Sequence, residues 1–473
     1  MNDAVLAANE QFAEISLPNP VEADAAITRV EGEIPQELTG TLYRNGPNQK
    51  ISPKVGPRAL HFFDGDALIQ AIRFEDGKAH HLGRYARTAA FERNLAEGEY
   101  VQAGLRIPAD RVVEPPIPSH SPNTNIVSHA GRLFALAENM PPFEMDPETL
   151  ASKGLWEYDG KMLGMSTTAH PKIDGRTGQM WIHGYQPMSP HIQLYCVEPD
   201  GRVSLAEAHD APWASMMHDF AITENHVIFP LGSMEFDLAP LLTGGTFTQA
   251  LSGVDRPMTF GIRSREAGSE IRWFEAPSAG YMFHPANAYE EDGKIFMDAC
   301  TYENPQSLID SLDGARDGKV GSGLDANPYL YEFDLEAGTC KETKFSDSTA
   351  EFPRIDPRLI GHKNRWGYAS TAEPAGGALG FSRRITKYDR QGGSSTHTKV
   401  VDGQWTGEPV FVPRSKEAAE DDGFVLVATH DANKAETAVE ILDARGIDAE
   451  PLARLHLDTR IPFGFHGNWA SSA

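Results

Sequence analysis

The chain has 473 residues, and its 67 acidic against 42 basic side chains leave a formal charge of −25. A surface that acidic repels phosphate backbones, which argues against a nucleic-acid partner and against broad adhesion to anionic membranes. Hydrophobic residues at 40% and charged residues at 23% are ordinary globular usage and exclude a disordered chain.

The opening stretch, MNDAVLAANEQFAEISLPNPVEAD, has no basic region leading into an apolar core, and residues 1–20 read as an extension. No run approaches the ~18 apolar residues of a membrane span. Cys196, Cys300 and Cys340 are odd in number, widely spaced and form no CxxC pair, which fits a reducing compartment. A soluble, cytosolic protein is expected.

Beyond the extension, short apolar or alternating runs succeed one another with turn chemistry between them. In order they are ALIQAIRFEDGKAHHLGRYAR (67–87), HAGRLFALAE (129–138), GQMWIHGY (178–185), IQLYCVEPDGRVSLAE (192–207) and NHVIFPL (225–231). AYEEDGKIFMDAC (288–300), LYEFDLEAGTCKETKF (330–345), GFVLVATHD (423–431) and VEILDARGIDAEPLARLHL (439–457) continue the series. Asp-Gly and Gly-rich pairs between β-rich runs are the strongest local hairpin signal. Helices are expected only over 88–97 and 236–253, and long loops over 101–123 and 304–328. Many short antiparallel strands point to a propeller or a large barrel-like β fold. There is no repeat of fixed period. No composition shift divides the chain, so one domain spanning 1–473 is expected.

The chain has 17 histidines. A single histidine is more often surface or core filler than a ligand, and no HxH or HExxH spacing singles any of them out. Context does. His170 (TTAHPK), His218 (MMHDFAIT), His284 (YMFHPANAYE) and His466 (PFGFHGNW) lie at element ends among small, apolar or aromatic residues. Buried imidazoles are expected there. Sites so dispersed would converge on a propeller axis if each blade supplied its innermost strand.

These four contexts resemble those of the carotenoid cleavage oxygenases, a family that includes apocarotenoid-, lignostilbene- and isoeugenol-type alkene-cleaving enzymes. GEIPQELTGTLYRNGPN (32–48), LHFFDGDAL (60–68), PNTNIV (122–127), RLFALAE (132–138), AEFPRIDPR (350–358) and TGEPVFVPR (406–414) resemble family motifs in the family's order. The resemblance implies an all-β, seven-bladed propeller with one axial Fe(II) per chain, under a cap of loops and short helices enclosing an apolar tunnel. It makes His170, His218, His284 and His466 the iron ligands. It also places Glu138, Glu351 and Glu408 behind them and Thr124 beside the open side of the metal. Thr124 reads equally well as a plain turn residue.

Imidazole suits iron and other borderline divalent metals. Four neutral ligands leave two positions of an octahedron open, and glutamates accepting the distal N–H would fix tautomer and ring direction. No dinucleotide fingerprint or cysteine cluster supplies electrons, so an electron-rich substrate would supply them to O2. The implied reaction converts a conjugated C=C bond of a small apolar alkene into two carbonyls, with no obligate protein partner. A metal-free binding propeller and an isomerase-hydrolase are the competing classes.

The substrate is less marked. Phe63, Tyr100, Ala137 and Phe283 are the implied contacts. Ala137 stands where the stilbene- and isoeugenol-cleaving branch has a phenol-gripping Lys, and Tyr100 lacks the motif around that branch's Tyr; both departures favour an apocarotenoid-like polyene. Ala67, in place of the family's second glycine of DGDG, concerns a turn. The apolar segment 235–253 reads either as a peripheral membrane contact near the tunnel mouth or as a helix packed under the cap.

Overall fold

The computed structural model describes residues 14–52, 61, 63–100, 121–138, 140–186, 189–237, 239–243, 245, 247–315, 326–372 and 383–472. Turn chemistry sets its hairpins. Asp76-Gly77, Ala130-Gly131 and Asp292-Gly293 have φ of 49° and 67°, 52° and 72°, and 51° and 75°. Two successive residues with positive φ match the right-handed twist of flanking strands. Each pair accordingly joins adjacent strands, with Glu75 opposite Lys78, His129 opposite Arg132 and Glu291 opposite Lys294.

Among the described residues the strands make seven antiparallel sheets of four or five strands, and one small hairpin, Met234–Phe236 with Leu251–Gly253. The fold is a seven-bladed β-propeller. Its inner strands are Asn125–His129, Lys172–Ile173, Ala221–Ile222, Tyr281–Glu291, Ala350–Arg354, Gln404–Pro413 and Gly467–Ser471. From Ala221–Ile222 onward each touches the next, and Gly467–Ser471 touches Asn125–His129.

Both chain ends close the ring. The C-terminal strand Gly467–Ser471 pairs with Gly40–Arg44 and becomes the innermost strand of the first blade. Ala23–Ala26 forms that blade's outer edge against Lys78–Tyr85. Arg29–Gly32 forms the outer edge of the last blade against Ala453–His456. Leu42 and Phe74 of the first blade pack with Val410, Phe424 and Leu426 of the last in one apolar core, so the seam is buried like an interior.

The expected helix at 88–97 is observed as Ala89–Glu97. The Thr88 side chain accepts from the Phe91 N–H, and Gly98 ends the helix at φ 63°. The expected helix at 236–253 is corrected. That stretch holds the hairpin, a single turn at Ala239–Leu242 and a 3-10 turn at Thr248–Ala250. An apolar run with Thr243 and paired glycines at its centre packs as a hairpin as readily as a helix. The expected loop 304–328 contains the helix Pro305–Ala315, and 316–325 lies outside the described residues, as do 101–120 of the loop 101–123 and residues 1–13 of the N-terminal extension. Among the described residues no helix is long and apolar enough to cross a membrane.

Candidate metal centre

Four of the seven inner strands bring a histidine to the axis. His170, His218 and His466 each come just before an inner strand, and His284 sits near the start of Tyr281–Glu291. All four are buried, and one ligand atom of each lies within 4.8 Å of the others. His170 and His218 point Nε2 at Nε2 across 2.9 Å. The His170 ring centroid is 4.4 Å from that of His466 and 5.0 Å from that of His284.

Two further inner strands and one neighbouring strand end supply carboxylates. Glu351 accepts from His284 Nδ1 at 2.6 Å and Glu408 from His466 Nδ1 at 3.0 Å, while Glu138 pairs with His218 Nδ1. Among the described residues His170 has no carboxylate partner. With each Nδ1–H given to a glutamate, the opposite Nε2 carries a lone pair toward the axis. The His284 Nε2 is buried and without a hydrogen-bond partner.

Prolines and bulges explain how these side chains turn inward. His170, His284 and Glu408 each precede a proline directly, and Glu351 precedes Pro353 by two positions. An inner strand has one unpaired edge, where a missing N–H costs nothing. Register shifts fall at Met282/Pro285, Glu351/Arg354 and Thr406/Pro409, around His284, Glu351 and Glu408. Bulges re-aim side chains in this way beside functional sites. Phe352 adopts φ 54°, an unusual value for an aromatic residue. Its ring packs 5.5 Å from that of His284 and 5.2 Å from that of His466.

Burial would raise all three carboxyls, but charge and hydrogen bonds outweigh it. His218 and the Tyr185 hydroxyl, which donates at 2.8 Å, hold Glu138 below the usual range. His284, the Tyr302 hydroxyl at 2.7 Å and the Phe352 N–H do the same for Glu351. Arg354 and His466 hold Glu408 down to about 2. Burial pushes His170 well below its ordinary value, and pushes His466 down to about 4 against the pull of Glu408. Burial lowers His218 as well, but the charge and hydrogen bond of Glu138 outweigh it and leave its pKa raised. Ionised glutamates behind the ring N–H groups are the form a cation requires.

The donor set fits a divalent transition metal. A metal–nitrogen bond of ~2.1 Å puts neighbouring donors ~3 Å apart and opposed donors ~4.2 Å apart. The 2.9 Å between His170 and His218, and separations within 4.8 Å for the whole set, are compatible with those values. Converging lone pairs and an orphaned buried nitrogen are unfavourable without a cation among them.

The other expected site residues divide into two groups. Thr124 opens the inner strand that brings neither His nor Glu to the cluster, with its N–H on Leu136 O and its hydroxyl toward Asn123. Phe63 packs 5.2 Å from Phe465, next to His466, and Phe283 lies 5.0 Å from His218. Both belong to one apolar cluster with Phe352, Tyr302, Phe236 and Phe247. Ala137 packs in a separate core with Ala67, Ile69 and Met140. The buried Tyr100 lies by the Gly65 backbone. Neither joins the aromatic group around the histidines.

Sequence reading overlooked several positioning residues. Asn45, inside LYRNGPN, donates through Nδ2 to Pro122 O and Asn125 O, while its backbone exchanges hydrogen bonds with Phe465 and His466. Arg354 bridges Glu408 at 3.2 Å and Asn468 at 2.7 Å. Asn468 donates to Asn125, whose amide reaches Ala169 O beside His170. Asn45, Arg354 and Asn125 stood in motifs already singled out, and that was their only local signal. Phe352 stood in the same motif as Arg354, whereas Tyr185 and Tyr302 carried no signal that ties them to the site.

Four buried imidazoles backed by three carboxylates on the axis of a propeller form a site that could hold a metal ion. The family model described as retinal pigment epithelial membrane protein matches residues 17–471. A carotenoid 9,10(9',10')-cleavage dioxygenase 1 of Pisum sativum is 31% identical, over 96% of this chain and 88% of that protein. An isoeugenol monooxygenase of Pseudomonas nitroreducens is 32% identical, over 97% of each chain. The cobalt-substituted Synechocystis ACO crystal structure superposes with a TM-score of 0.88 at 29% identity, covering 98% of this chain and 99% of that one. The chain therefore belongs to the retinal pigment epithelial membrane protein family of carotenoid cleavage oxygenases, and it is an enzyme of the carotenoid-cleavage dioxygenase type.

Proposed function

We propose that the chain is a non-haem Fe(II) dioxygenase that uses O2 to cleave a conjugated C=C bond of an apolar substrate into two carbonyl products. The observation that carries this reading is the convergence of four buried imidazoles, three of them oriented by glutamates. His170, His218, His284 and His466 would hold the iron, which would supply the chemistry of O2 activation. Glu138, Glu351 and Glu408 keep each proton on Nδ1 of His218, His284 and His466, so that Nε2 stays a ligand. Tyr185 and Tyr302 hold two of those carboxylates in place. Phe63, Phe283 and Phe352 exclude water and offer a polyene an apolar wall. Thr124 narrows the open side.

An apocarotenoid-like polyene is the favoured substrate, because Ala137 offers no amine and Tyr100 turns to the Gly65 backbone, leaving no phenol anchor at either position. A stilbene or phenylpropanoid is the second reading, favoured by the full-length match to an isoeugenol monooxygenase. Phe236 and Phe247 turn into the apolar cluster, which supports packing under the cap for that part of 235–253. The remainder is proposed as the contact for a peripheral association of a cytosolic enzyme with membranes.

Anaerobic iron loading followed by turnover of apocarotenals, hydroxystilbenes and isoeugenol under 18O2 tests the reading. Label in the aldehydes from a polyene is expected. Label-free products would point to hydrolysis or isomerisation, and cleavage of stilbenes alone would reverse the substrate order.

A further inference from the structure

The three carboxylates behind the histidines differ in what else they meet. Besides its histidine, Glu351 takes only neutral donors, the Tyr302 hydroxyl and the Phe352 N–H, and Glu138 takes the Tyr185 hydroxyl. Glu408 instead meets the Arg354 guanidinium at 3.2 Å. Its bond from His466 Nδ1 is 3.0 Å, against 2.6 Å from His284 to Glu351. A carboxylate that answers a guanidinium has less charge to give an imidazole, so His466 is left a less basic donor than His284.

A second arginine stands beside the same pair. Arg44 lies directly opposite Gly467, the residue after His466, where Gly40–Arg44 pairs with the closing strand. A Cβ at Gly407 would lie 3.0 Å from a terminal nitrogen of Arg44, and one at Gly467 would lie 2.9 Å from its Cγ. The glycines next to Glu408 and His466 thus make room for this side chain. Arg44 is only 6% exposed, and both terminal nitrogens are shut off from solvent with no hydrogen-bond partner among the described residues. Guanidinium keeps its proton in proteins, so the charge stays. Glu408 balances it without touching it. Lys172, two residues after His170, is by contrast matched in contact by Asp219 at 2.8 Å.

Two guanidinium charges therefore face one carboxylate beside the histidines, and burial keeps water from screening them fully. An excess positive charge there makes further positive charge on a bound metal unfavourable. We propose that Arg44 and Arg354 hold the iron ferrous, opposing the transfer of one electron from Fe(II) to O2 that gives Fe(III) and superoxide. This inference rests on the Fe(II) reading above. Because that reaction draws its electrons from the alkene, an enzyme waiting in air for substrate gains from iron that resists oxidation.

The test uses full-length protein loaded anaerobically with Fe(II), titrated with ferricyanide and redox mediators, and read by the electron paramagnetic resonance of high-spin Fe(III). Removing a unit charge at roughly 10 Å in an effective dielectric of about 20 shifts an equilibrium on the order of tenfold. At the parental midpoint, Arg44→Met and Arg354→Gln should each raise the Fe(III)-to-Fe(II) ratio about tenfold, a fall of about 59 mV in potential. Arg44→Met breaks no hydrogen bond of the terminal nitrogens, so its shift reports charge alone. Arg354→Lys keeps the charge and should restore the parental potential. A parental potential in either charge-removing variant, or an equal fall in Arg354→Lys, overturns the proposal. Should Arg44→Met fail to fold, the two Arg354 variants decide it. Protein that takes up no Fe(II) overturns the iron reading and this inference together, whereas loaded variants at the parental potential overturn this inference alone.

Discussion

Glu351 receives three hydrogen bonds in a buried setting: from His284 Nδ1 at 2.6 Å, the Tyr302 hydroxyl at 2.7 Å and the Phe352 N–H at 2.8 Å. Glu351→Ala removes all three acceptors. Leaving the Tyr302 hydroxyl and the Phe352 N–H unpaired costs ~1–3 kcal/mol each, so the fold should lose roughly 2–6 kcal/mol, less where water enters the hole. The metal effect is separate. Losing the carboxylate behind a metal-binding histidine typically weakens metal affinity ~10–100-fold, or ~1.4–2.8 kcal/mol. Glu351→Gln separates the two. Its carbonyl still accepts, and its amide can donate to the Tyr302 hydroxyl, so stability should stay within ~1 kcal/mol of the parent. The charge opposite His284 is nevertheless gone. Anaerobic Fe(II) competition against a chelator, read beside thermal unfolding, distinguishes these outcomes. The Gln variant should bind iron ~10–100-fold more weakly at near-parental Tm. Parental affinity in that variant would refute the claim that the negative charge of Glu351 strengthens metal binding by His284.

His284→Ala should leave purified protein nearly iron-free and inactive, as checked by metal analysis, whereas parental iron content would remove His284 from the ligand set. Gly46→Ala sets a Cβ 2.6 Å from Gly464 Cα, two residues before His466. It should cost ~1–3 kcal/mol and lower iron occupancy as well as Tm, and an unchanged Tm would contradict the close approach. Asp66 is pushed up to about 6 by burial, above the ~3.9 of an unfolded chain. The folded state therefore holds the proton more tightly. Its contribution to stability is present below pH ~4 and is lost as pH rises through about 6, up to ~3 kcal/mol in all. Asp66→Asn should flatten that part of the stability–pH curve, and an identical slope in both proteins would exclude Asp66 as its source.

Legibility followed the distance between interacting residues. Asp76-Gly77 and Asp292-Gly293 announce hairpins because the turn geometry is local. The burial of the four histidines was readable from their apolar neighbours, while their grouping with the three glutamates came only from the resemblance of the motifs around them. Tyr185 meets Glu138 across 47 residues and Tyr302 meets Glu351 across 49, each from another strand or blade, so neither leaves a local pattern. The same holds for ring closure, where Arg29–Gly32 pairs with Ala453–His456. The run 236–253 was misread because a short apolar stretch has no period that separates hairpin from helix.

The closing strand also sets an order of events during synthesis. Gly40–Arg44 leaves the ribosome long before its inner partner, Gly467–Ser471. Until then the first blade presents a bare edge, the arrangement that invites pairing with other chains. His466 emerges immediately before that partner, so the fourth imidazole arrives only as the edge is covered. Iron captured by all four histidines would then act as a latch on a completed ring, and a nascent chain stalled a few residues short would have neither the latch nor the protected edge.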